Sequence, residues 1–527
     1  MSARPVMVLI ALFLFLGNLF LGILDADYLW WLILTLPLFC VILYDASQKS
    51  NNVLRNFPIV GHIKQVIVKN RDLLQDWALE NNRDGRPFSW IERKIVYSRA
   101  ENAGQTTAPF GTQYNVYAPG FEWVQHSVAP APKIEGDLRI MVGGPDCTQP
   151  YSCSILNVSA MSYGSISKNA TMALNGGAKL GNFASNTGEG GLSEYHLRYG
   201  GDLIFQLGTG YFGCRNENGG FNEEKFAEAA KNAAVKMIEI KISQGAKPGY
   251  GAILPAKKVT KEIAGIREIQ EGVICISPAG HSEFNTPTGL LLFVKKLRVL
   301  SGGKPIGFKL CLGKKSDFFA ICKGMVKTGI KPDFITIDGK EGGTGAAHFE
   351  SLNWVGMPID DSLPFIYNAL TGFDLKKDIK LFACGRVVSG FHFMKLLALG
   401  ADACYSARGM MFALGCVQAL QCNEDTCPTG VTTMNESLMK GLVVEDKKLK
   451  VKNFHENTII SVKDMMAAAG LTGLGAINRS LIARRLDQHT VKSLDELYPN
   501  ITAGSLLGNT IPEEYKKEME KADAESF

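Results

Sequence analysis

Short apolar, β-branched runs alternate with helical stretches through the middle of the chain, and this alternation constrains the fold more than any other feature. The runs are almost wholly apolar, which is typical of parallel strands buried on both faces. Nine occur over about 250 residues, the usual length of a (β/α)8 TIM barrel: ILNVS, NFAS, LIFQL, MIEIKI, VICIS, IGFKLCL, FITID, KLFACG and ACYSA. VICIS is predicted to lie outside the barrel, because PAGHSEFNTP after it is typical of a long loop. An open doubly wound sheet is the alternative, although no G-x-G-x-x-G follows the first run.

The composition excludes several protein classes. With 527 residues, the chain is long enough for one large domain or for two to three ordinary ones. A net charge of +5, with 20% charged and 46% hydrophobic residues, is not typical of a nucleic-acid-binding or disordered protein. The 12 cysteines follow no secretory spacing, which indicates a reduced, cytosolic compartment. We therefore expect a folded protein with no nucleic-acid partner.

Two uncharged segments, at about 5–24 and 28–44, lie close to the N-terminus. Each approaches the roughly 20 residues that a helix needs to cross a bilayer, and only DAD separates them. Basic residues flank the pair, which places both predicted ends in the cytoplasm: Arg4, Lys49, Arg55 and Lys64. The alternatives are a cleaved signal peptide, which has one apolar segment, and a hairpin that binds a partner protein within the membrane. We expect a two-pass protein of a bacterial-type inner membrane, with its soluble domain in the cytoplasm.

The chain is predicted to have four parts. The hairpin occupies residues 1–50, an accessory or linker region 51–149, the barrel 150–480 and a C-terminal tail 481–527. Within the accessory region, residues 72–102 show helical and then strand-like spacing, and the following segment is rich in turn residues.

Polar and glycine-rich sequences follow most predicted barrel strands, where barrel enzymes collect their functional residues. These sequences are SAMSYGSIS, SNTGEGG, EIKISQGAKPG, DGKEGGTGA, CGRVVSG and SARG. The first contains Ser159, Met161 and Ser162, and the fourth contains Gly342 and Gly343. We expect these residues to line a ligand site at one mouth of the barrel.

CGRVVSG and SARG follow the seventh and eighth predicted strands, where barrels often bind a phosphate group. Backbone amides at Gly385 and Gly409, with Arg386 or Arg408 nearby, are candidates to hold a cofactor phosphate.

Lys309 lies within an apolar strand, and a cation there could stabilise negative charge on a reduced flavin ring. A structural lysine paired with a carboxylate is the alternative. Gln206 could bind the edge of the ring, because an amide offers both a donor and an acceptor.

A further polar set is suited to a dicarboxylate substrate, since lysines bind carboxylates and a carboxyl group can move protons. Its members are Glu189, Lys241, Gln244 and Lys247. A surface ion pair between loops is the alternative.

Cys416, Cys422 and Cys427 fall within twelve residues, with gaps of five and four. A structural zinc ion needs four ligands, and a four-iron cluster normally takes four cysteines. Three thiolates fit a three-iron cluster, and buried free thiols are the alternative.

These stretches, taken together and in order, resemble the synthase domain of glutamate synthase, an FMN-dependent barrel with a three-iron, four-sulfur (3Fe-4S) cluster. The matching sequences are SAMSYGSISKNA, SNTGEGG, IKISQGAKPG, ISPAGH, GGTGA, CVQALQCNEDTCPTGVTT and GAINRS. The resemblance implies that the three cysteines of the loop 415–430 hold the cluster. It also implies that Gln206, Lys309, Gly343 and the Gly385 region contact FMN, and that the polar set around Glu189 binds substrate.

The implied reaction is the reductive amination of 2-oxoglutarate, through 2-iminoglutarate, to glutamate. The resemblance implies an oxidoreductase of the class that acts on CH-NH2 donors, with ammonia and an external electron donor that is ferredoxin-like or membrane-bound. An N-substituted glutamate synthase that uses an alkylamine is one alternative. A non-catalytic, membrane-anchored module that transfers electrons through a flavin and an iron–sulfur cluster is another.

The chain departs from the family pattern in the motifs GEGGLS, SPAGH and CGR. These departures affect the expected substrate more than the expected cofactors. Two apolar segments stand where the family has an amidotransferase domain, so we expect no glutamine hydrolysis by this chain.

Overall fold

The computed structural model describes residues 4–48, 58–59, 61–62, 66, 83–102, 111–508 and 511–527. The chain forms two compact units, Met1–Trp90 and Ile91–Phe527. The predicted helical spacing at 72–82 and the basic residues Lys49, Arg55 and Lys64 lie outside the described residues.

Two apolar helices, Arg4–Leu24 and Leu32–Ser47, dominate the first unit. The 3-10 turn Ala26–Trp31 joins them, and Asp25 caps this turn by accepting a hydrogen bond from the amide of Asp27. The rings of Phe15 and Phe39 stack 5.1 Å apart across the pair. Both helices are long and apolar enough to cross a membrane, which agrees by length and composition with the predicted hairpin.

Strands of the second unit are numbered here in chain order. They are β1 (Glu122–Val124), β2 (Arg139–Val142), β3 (Tyr151–Ser154), β4 (Leu156–Val158), β5 (Ser185–Asn186), β6 (Leu203–Leu207), β7 (Val235–Lys241), β8 (Ile253–Leu254), β9 (Cys275–Ile276), β10 (Ile306–Leu310), β11 (Phe334–Asp338), β12 (Lys380–Cys384), β13 (Ala403–Ser406), β14 (Ile482–Arg485) and β15 (Val491–Ser493).

The remaining α-helices pack around these strands or extend the loops between them. Their bounds are Trp90–Ala100, Lys168–Leu180, Glu194–Leu197, Glu223–Lys231, Lys261–Arg267, Pro287–Leu300, Lys315–Thr328, Phe349–Trp354, Ile359–Gly372, Gly390–Leu399, Arg408–Ala413, Glu436–Met439, Val444–Ala468, Leu494–Leu497 and Glu513–Lys521. Short 3-10 turns lie at Ala256–Lys258, Leu474–Ala476 and Arg479–Leu481.

Eight parallel strands close into a barrel in the order β4, β5, β6, β7, β10, β11, β12 and β13. Every residue of β6, β10 and β11 is buried, because the barrel covers one face of each strand and helices cover the other. The predicted TIM barrel is confirmed, and each of its eight strands overlaps a predicted apolar run. β9, from the excluded run VICIS, pairs antiparallel with β8 outside the barrel.

The strand-like spacing predicted towards the end of residues 72–102 is wrong, because Trp90–Ala100 is a helix. Its buried residues are Arg93, Val96 and Ala100, which recur at the spacing of one helical face. Charged residues between the apolar positions imitated the alternation of a half-buried strand. Two strands of the accessory region do form: β1 pairs antiparallel with β14 from beyond the barrel, and β2 pairs antiparallel with β3.

Candidate active site

The carboxyl ends of the barrel strands meet at one mouth, and several buried polar side chains lie there. Gln206 on β6 pairs in register with Glu239 on β7, and Lys241 at the end of β7 pairs with Lys309 on β10. Four of the polar residues predicted from the sequence are buried at or beside these strand ends: Glu189, Gln206, Lys241 and Lys309. The barrel therefore brings residues from separate motifs to one mouth.

Glu239 is a fully buried carboxylate that the sequence reasoning did not select. Its Oε1 atom accepts hydrogen bonds from Asn186 Nδ2 at 2.9 Å and from Gln206 Nε2 at 2.6 Å. Its Oε2 atom accepts one from Thr336 Oγ1 at 2.6 Å. The amide nitrogen of Gln206 is thus turned towards Glu239, which leaves the amide oxygen as the acceptor for a ligand.

We expect Glu239→Ala to lower the free energy of unfolding by about 3–5 kcal/mol, because it leaves buried donors on three strands without an acceptor. Urea-induced unfolding of the purified protein measures this change. Glu239→Gln keeps one oxygen acceptor and should lose less than half as much. Equal losses of unfolding free energy in the two variants would contradict a role for Glu239 as a shared hydrogen-bond acceptor.

Lys309 is a buried cation beside Asp338, with 3.7 Å between Lys309 Nζ and Asp338 Oδ2. Burial alone would lower the pKa of Lys309, but the carboxylates of Asp338 and Glu239 raise it overall. The amide of Gly245 donates to Asp338 Oδ2 at 3.1 Å, whereas Asp338 Oδ1 is buried without a hydrogen-bond partner in the described part of the chain. The side chain of Lys309 therefore holds a positive charge at the mouth at neutral pH.

Glu189 and Lys241 form a buried ion pair between Oε1 and Nζ. Burial opposes ionisation of Glu189, but the charge of Lys241 holds the pKa of the carboxyl group below its usual value. Burial lowers the pKa of Lys241 in spite of the attraction of Glu189. The pair is therefore an internal ion pair at the mouth and not a surface contact between loops.

Lys247 is the next cation of the predicted substrate set, and its Nζ atom donates to the carbonyl of Ala346 at 2.8 Å. Burial lowers the pKa of Lys247 to about 8, and the charge of Lys241 acts in the same direction. Gln244 accepts a hydrogen bond from the amide of Lys247 through its backbone carbonyl, at 3.3 Å, and is partly exposed. The set thus joins the loop after β7 to the loop after β11.

Arg267 is a second functional candidate that the sequence reasoning missed. It is 2% exposed, and it donates from Nη2 to the carbonyl of Tyr163 at 3.0 Å and to Ser162 Oγ at 3.4 Å. It forms no ion pair with a carboxylate among the described residues, although its charge helps to lower the pKa of Glu189. It belongs to a helix in the insertion between β7 and β10, where no motif marks it.

His281 supports Lys241 from outside the barrel, and it too was not selected. Burial lowers the pKa of His281 to about 4, so its ring is neutral. Nε2 lies 3.0 Å from the carbonyl of Lys241, to which it donates, and Nδ1 accepts from the Tyr211 hydroxyl at 2.9 Å. The arrangement fixes the end of β7, and the histidine of ISPAGH was the signal that could have identified it.

The two arginines of the predicted phosphate site lie near each other at the ends of β12 and β13, and the charge of Arg386 contributes to the environment of Arg408. Arg386 Nη2 donates to Glu92 Oε1 at 2.7 Å, and Arg408 Nη2 contacts the carbonyl of Glu341. Burial lowers the pKa of Arg408 to about 10, and the guanidinium stays charged. Glu92 offsets the charge of Arg386, and the charged guanidinium of Arg408 is suited to an anion.

Glycines shape this part of the mouth. A Cβ atom at Gly343 would come within 2.9 Å of Arg408 Nε, so only glycine allows the loop to pass the guanidinium. Gly385 has a φ of 154°, which favours glycine. Gly342 and Gly409 are also tightly packed, with a Cβ atom at Gly409 predicted 2.4 Å from Ser406 Oγ.

The loop after β4 closes the mouth on the side of β12. Ser159 Oγ lies 3.3 Å from Cys384 Sγ, and Ser162 Oγ lies 2.9 Å from Ser165 Oγ. Met161 between them is partly exposed. Ser159 therefore lies beside the strand that carries the proposed phosphate loop, whereas the backbone of Met161 and Ser162 packs against Gly188 in the loop after β5.

Cys416, Cys422 and Cys427 are free thiols on one loop. Burial raises the pKa of Cys416 to about 12, and the charges of Cys422 and Cys427 act in the same direction. Burial would also raise the pKa of Cys427, but hydrogen bonds from Thr429 and Thr432 lower it overall. Within the described ranges, no three His, Cys, Asp or Glu side chains are arranged to hold a single metal ion.

Comparisons with known proteins agree with the order of the motifs. Residues 150–472 match the family model described as a conserved region in glutamate synthase. The chain is 34% identical over 498 residues to the glutamate synthase large subunit-like protein YerD of Bacillus subtilis, an alignment that covers 87% of this chain and 94% of the relative. It is 33% identical over 321 residues to the archaeal glutamate synthase [NADPH] of Methanocaldococcus jannaschii.

The second alignment covers 61% of this chain and 60% of the archaeal protein. Among solved structures, the recombinant flavin-binding domain of baker's yeast flavocytochrome b2 aligns with a TM-score of 0.43 and 14% identity, over 83% of this chain and 89% of that chain. The family model covers more than half of the present chain, and the Bacillus subtilis relative aligns over nearly its whole length. The chain belongs to the glutamate synthase family.

Proposed function

We propose that this protein is an FMN- and iron–sulfur-dependent oxidoreductase that converts 2-oxoglutarate and ammonia to glutamate with electrons from an external donor. One observation carries the proposal: Lys309 and the pair Glu189–Lys241 lie at the same barrel mouth, in a chain of the glutamate synthase family. Relatives named as glutamate synthases support the reaction type.

The residues at the mouth fit a bound FMN. The amide oxygen of Gln206 can accept from the ring, and the ammonium of Lys309 suits a ring that gains negative charge on reduction. The loops that carry Gly385 and Arg408 offer the positive environment that a phosphate needs. FMN bound there would supply hydride transfer to the substrate carbon, since this chemistry belongs to the cofactor.

The loop that carries Cys416, Cys422 and Cys427 supplies the three thiols that a 3Fe-4S cluster needs. A structural zinc ion would need a fourth ligand. A 3Fe-4S cluster would supply one-electron transfer there.

The substrate would bind among the cations of the mouth. Lys241, Lys247 and Arg267 together carry three positive charges against the single carboxylate of Glu189, and this excess is suited to a dicarboxylate. Lys241 Nζ, whose pKa is lowered, is suited to give a proton to the substrate nitrogen, and Glu189 Oε1 holds that ammonium in place.

The KM for 2-oxoglutarate is expected to rise as the pH increases through about 8. Lys247 is positively charged below its pKa of about 8 and neutral above it, so its attraction for a carboxylate is lost on the alkaline side. Lys247→Arg should keep the charge and shift this rise to higher pH, because arginine stays protonated throughout the range. Steady-state kinetics between pH 6.5 and about 9.5 measure both profiles. If the pH profiles of KM for the wild type and for Lys247→Arg coincide, this would contradict a role for Lys247 in carboxylate binding.

The co-substrate is the part of the proposal most open to a direct test. The altered GEGGLS loop carries Glu189 and favours a second candidate, in which an alkylamine replaces ammonia. Stopped-flow mixing of reduced protein with 2-oxoglutarate plus ammonia should reoxidise the flavin and form glutamate. Faster reoxidation with methylamine would favour the second candidate. If neither amine causes reoxidation of the flavin, both synthase candidates are overturned. The remaining alternative is then the non-catalytic electron-transfer module.

The N-terminal hairpin supports a proposal about location. Both apolar helices would span a bacterial-type inner membrane, with the barrel in the cytoplasm, where a ferredoxin-like or membrane-bound donor could deliver electrons. Membrane fractionation followed by carbonate extraction tests this placement. Release of the intact chain by carbonate would contradict it.

A further inference from the structure

Lys258 is a buried lysine outside the mouth that no step of the proposed reaction uses. It ends the 3-10 turn Ala256–Lys258 in the insertion between β7 and β10, and it is 1% exposed. No carboxylate among the described residues lies within ion-pair distance of its ammonium group. A buried charge of this kind is costly unless other polar groups surround it.

Backbone carbonyls from two different loops surround the ammonium of Lys258. Its Nζ atom donates to the carbonyl of Ser165 at 2.8 Å, in the loop that follows β4. It donates to the carbonyls of Thr432 at 3.0 Å and Cys422 at 3.3 Å, in the segment 416–434 that carries the three thiols, here called the cysteine loop. One side chain thus joins the cysteine loop to the loop that lines the proposed flavin site.

The cysteine loop needs such support from outside. Gln418, Leu420 and Asp425 have φ values of 58°, 55° and 60°, in the left-handed region that residues other than glycine rarely adopt. Conformations of this kind persist only where surrounding contacts impose them. Because the ammonium of Lys258 donates to the backbone carbonyl of Cys422 itself, its positive charge lies close to one of the three thiol-bearing residues.

We propose that Lys258 is a positioning residue, which fastens the cysteine loop to the loop after β4 and places one positive charge beside the thiols. This inference rests on the proposed function only in its second part, because the fastening does not depend on bound iron. A charge beside the thiols favours the reduced form of a cluster, since reduction adds a negative charge.

Hydrogen exchange of the full-length protein, purified without air, tests the fastening. Lys258→Met should speed the exchange of amides in the cysteine loop at least tenfold, whereas Lys258→Arg should restore much of the protection. Lys257 is a matched control, because its Nζ atom contacts the same loop through Glu424 Oε2 at 2.7 Å, but from an exposed position. Lys257→Met should change exchange less than twofold. If amides of the cysteine loop exchange at wild-type rates in Lys258→Met, the proposal is overturned.

A reductive titration with dithionite, followed by EPR, tests the charge. At a fixed potential, the ratio of reduced to oxidised cluster should fall at least tenfold in Lys258→Met and recover in Lys258→Arg. A merely structural role would leave this ratio unchanged, and an unchanged ratio would overturn the second part. If no variant and no wild-type protein contains iron, the proposed function fails, while the exchange experiment still decides the fastening.

A further measurement covers the case in which Lys258→Met does not fold. In the wild-type protein, amides of the segments 162–167 and 422–433 should show the same protection within about threefold, because one ammonium group holds both. A difference of more than tenfold would overturn the fastening.

Discussion

Replacement of Lys309 by methionine is expected to lower kcat about 10²–10³-fold, the usual cost of removing a preorganised charge that stabilises developing charge. Lys309 is a buried cation on β10 beside Asp338 of β11, and the carboxylates around it keep it protonated. Methionine keeps most of the length of the side chain and removes the ammonium group with its charge. Steady-state turnover with 2-oxoglutarate and the preferred amine measures the effect.

The same substitution also costs stability, because Asp338 and Glu239 then lose a buried counter-charge. The loss is expected to be about 3–5 kcal/mol. Lys304→Met is the matched control, because Lys304 lies just before the same strand, at the opposite end of the barrel. Its Nζ atom donates to the carbonyls of Ala230 at 2.6 Å and Val235 at 2.7 Å.

Lys304→Met should destabilise the protein and change kcat by less than twofold. A comparable loss of kcat in both variants would show that Lys309 acts through the fold and not at the site.

The barrel could be predicted from the sequence because each of its strands has a local residue pattern that indicates a buried strand. Runs such as FITID and LIFQL are mostly apolar on both faces, and only a strand covered on both faces requires that pattern. β9, in the run VICIS, could be excluded from the barrel because a long loop follows it. The helix Trp90–Ala100 was missed because charged residues between its apolar positions imitate a half-buried strand.

The partners of the site residues could not be predicted in the same way. Gln206 and Glu239 are 33 residues apart, and they meet only because β6 and β7 pair in that register. Arg267 reaches Ser162 across 105 residues, from a helix in an insertion that has no recognisable motif. Local patterns determine which residues lie at strand ends. The closure of the barrel determines which of these residues become neighbours. A single sequence contains no direct signal for those contacts.

Serine in place of Cys422 or Cys427 is expected to remove the bound iron and to lower donor-driven turnover more than about 100-fold. A direct ligand contributes more than the outer partners of a metal site, whose loss typically costs about 10–100-fold in affinity. The hydroxyl of serine is also a poor ligand for iron compared with a thiolate. Iron analysis and EPR of protein purified without air measure the loss, and assays with the external donor measure the turnover.

Two controls separate the loss of the cluster from a loss of structure. Cys322→Ser changes a free, fully buried thiol in the helix Lys315–Thr328, far along the chain from the cysteine loop. It should keep its iron, although a buried hydroxyl lowers stability. The Cys427→Ser protein should still form glutamate when its flavin is reduced chemically, because in the proposed reaction the cysteine loop only delivers electrons, whereas the residues around Lys241 bind the substrate. Full donor-driven turnover in Cys427→Ser would show that these thiols are buried packing groups.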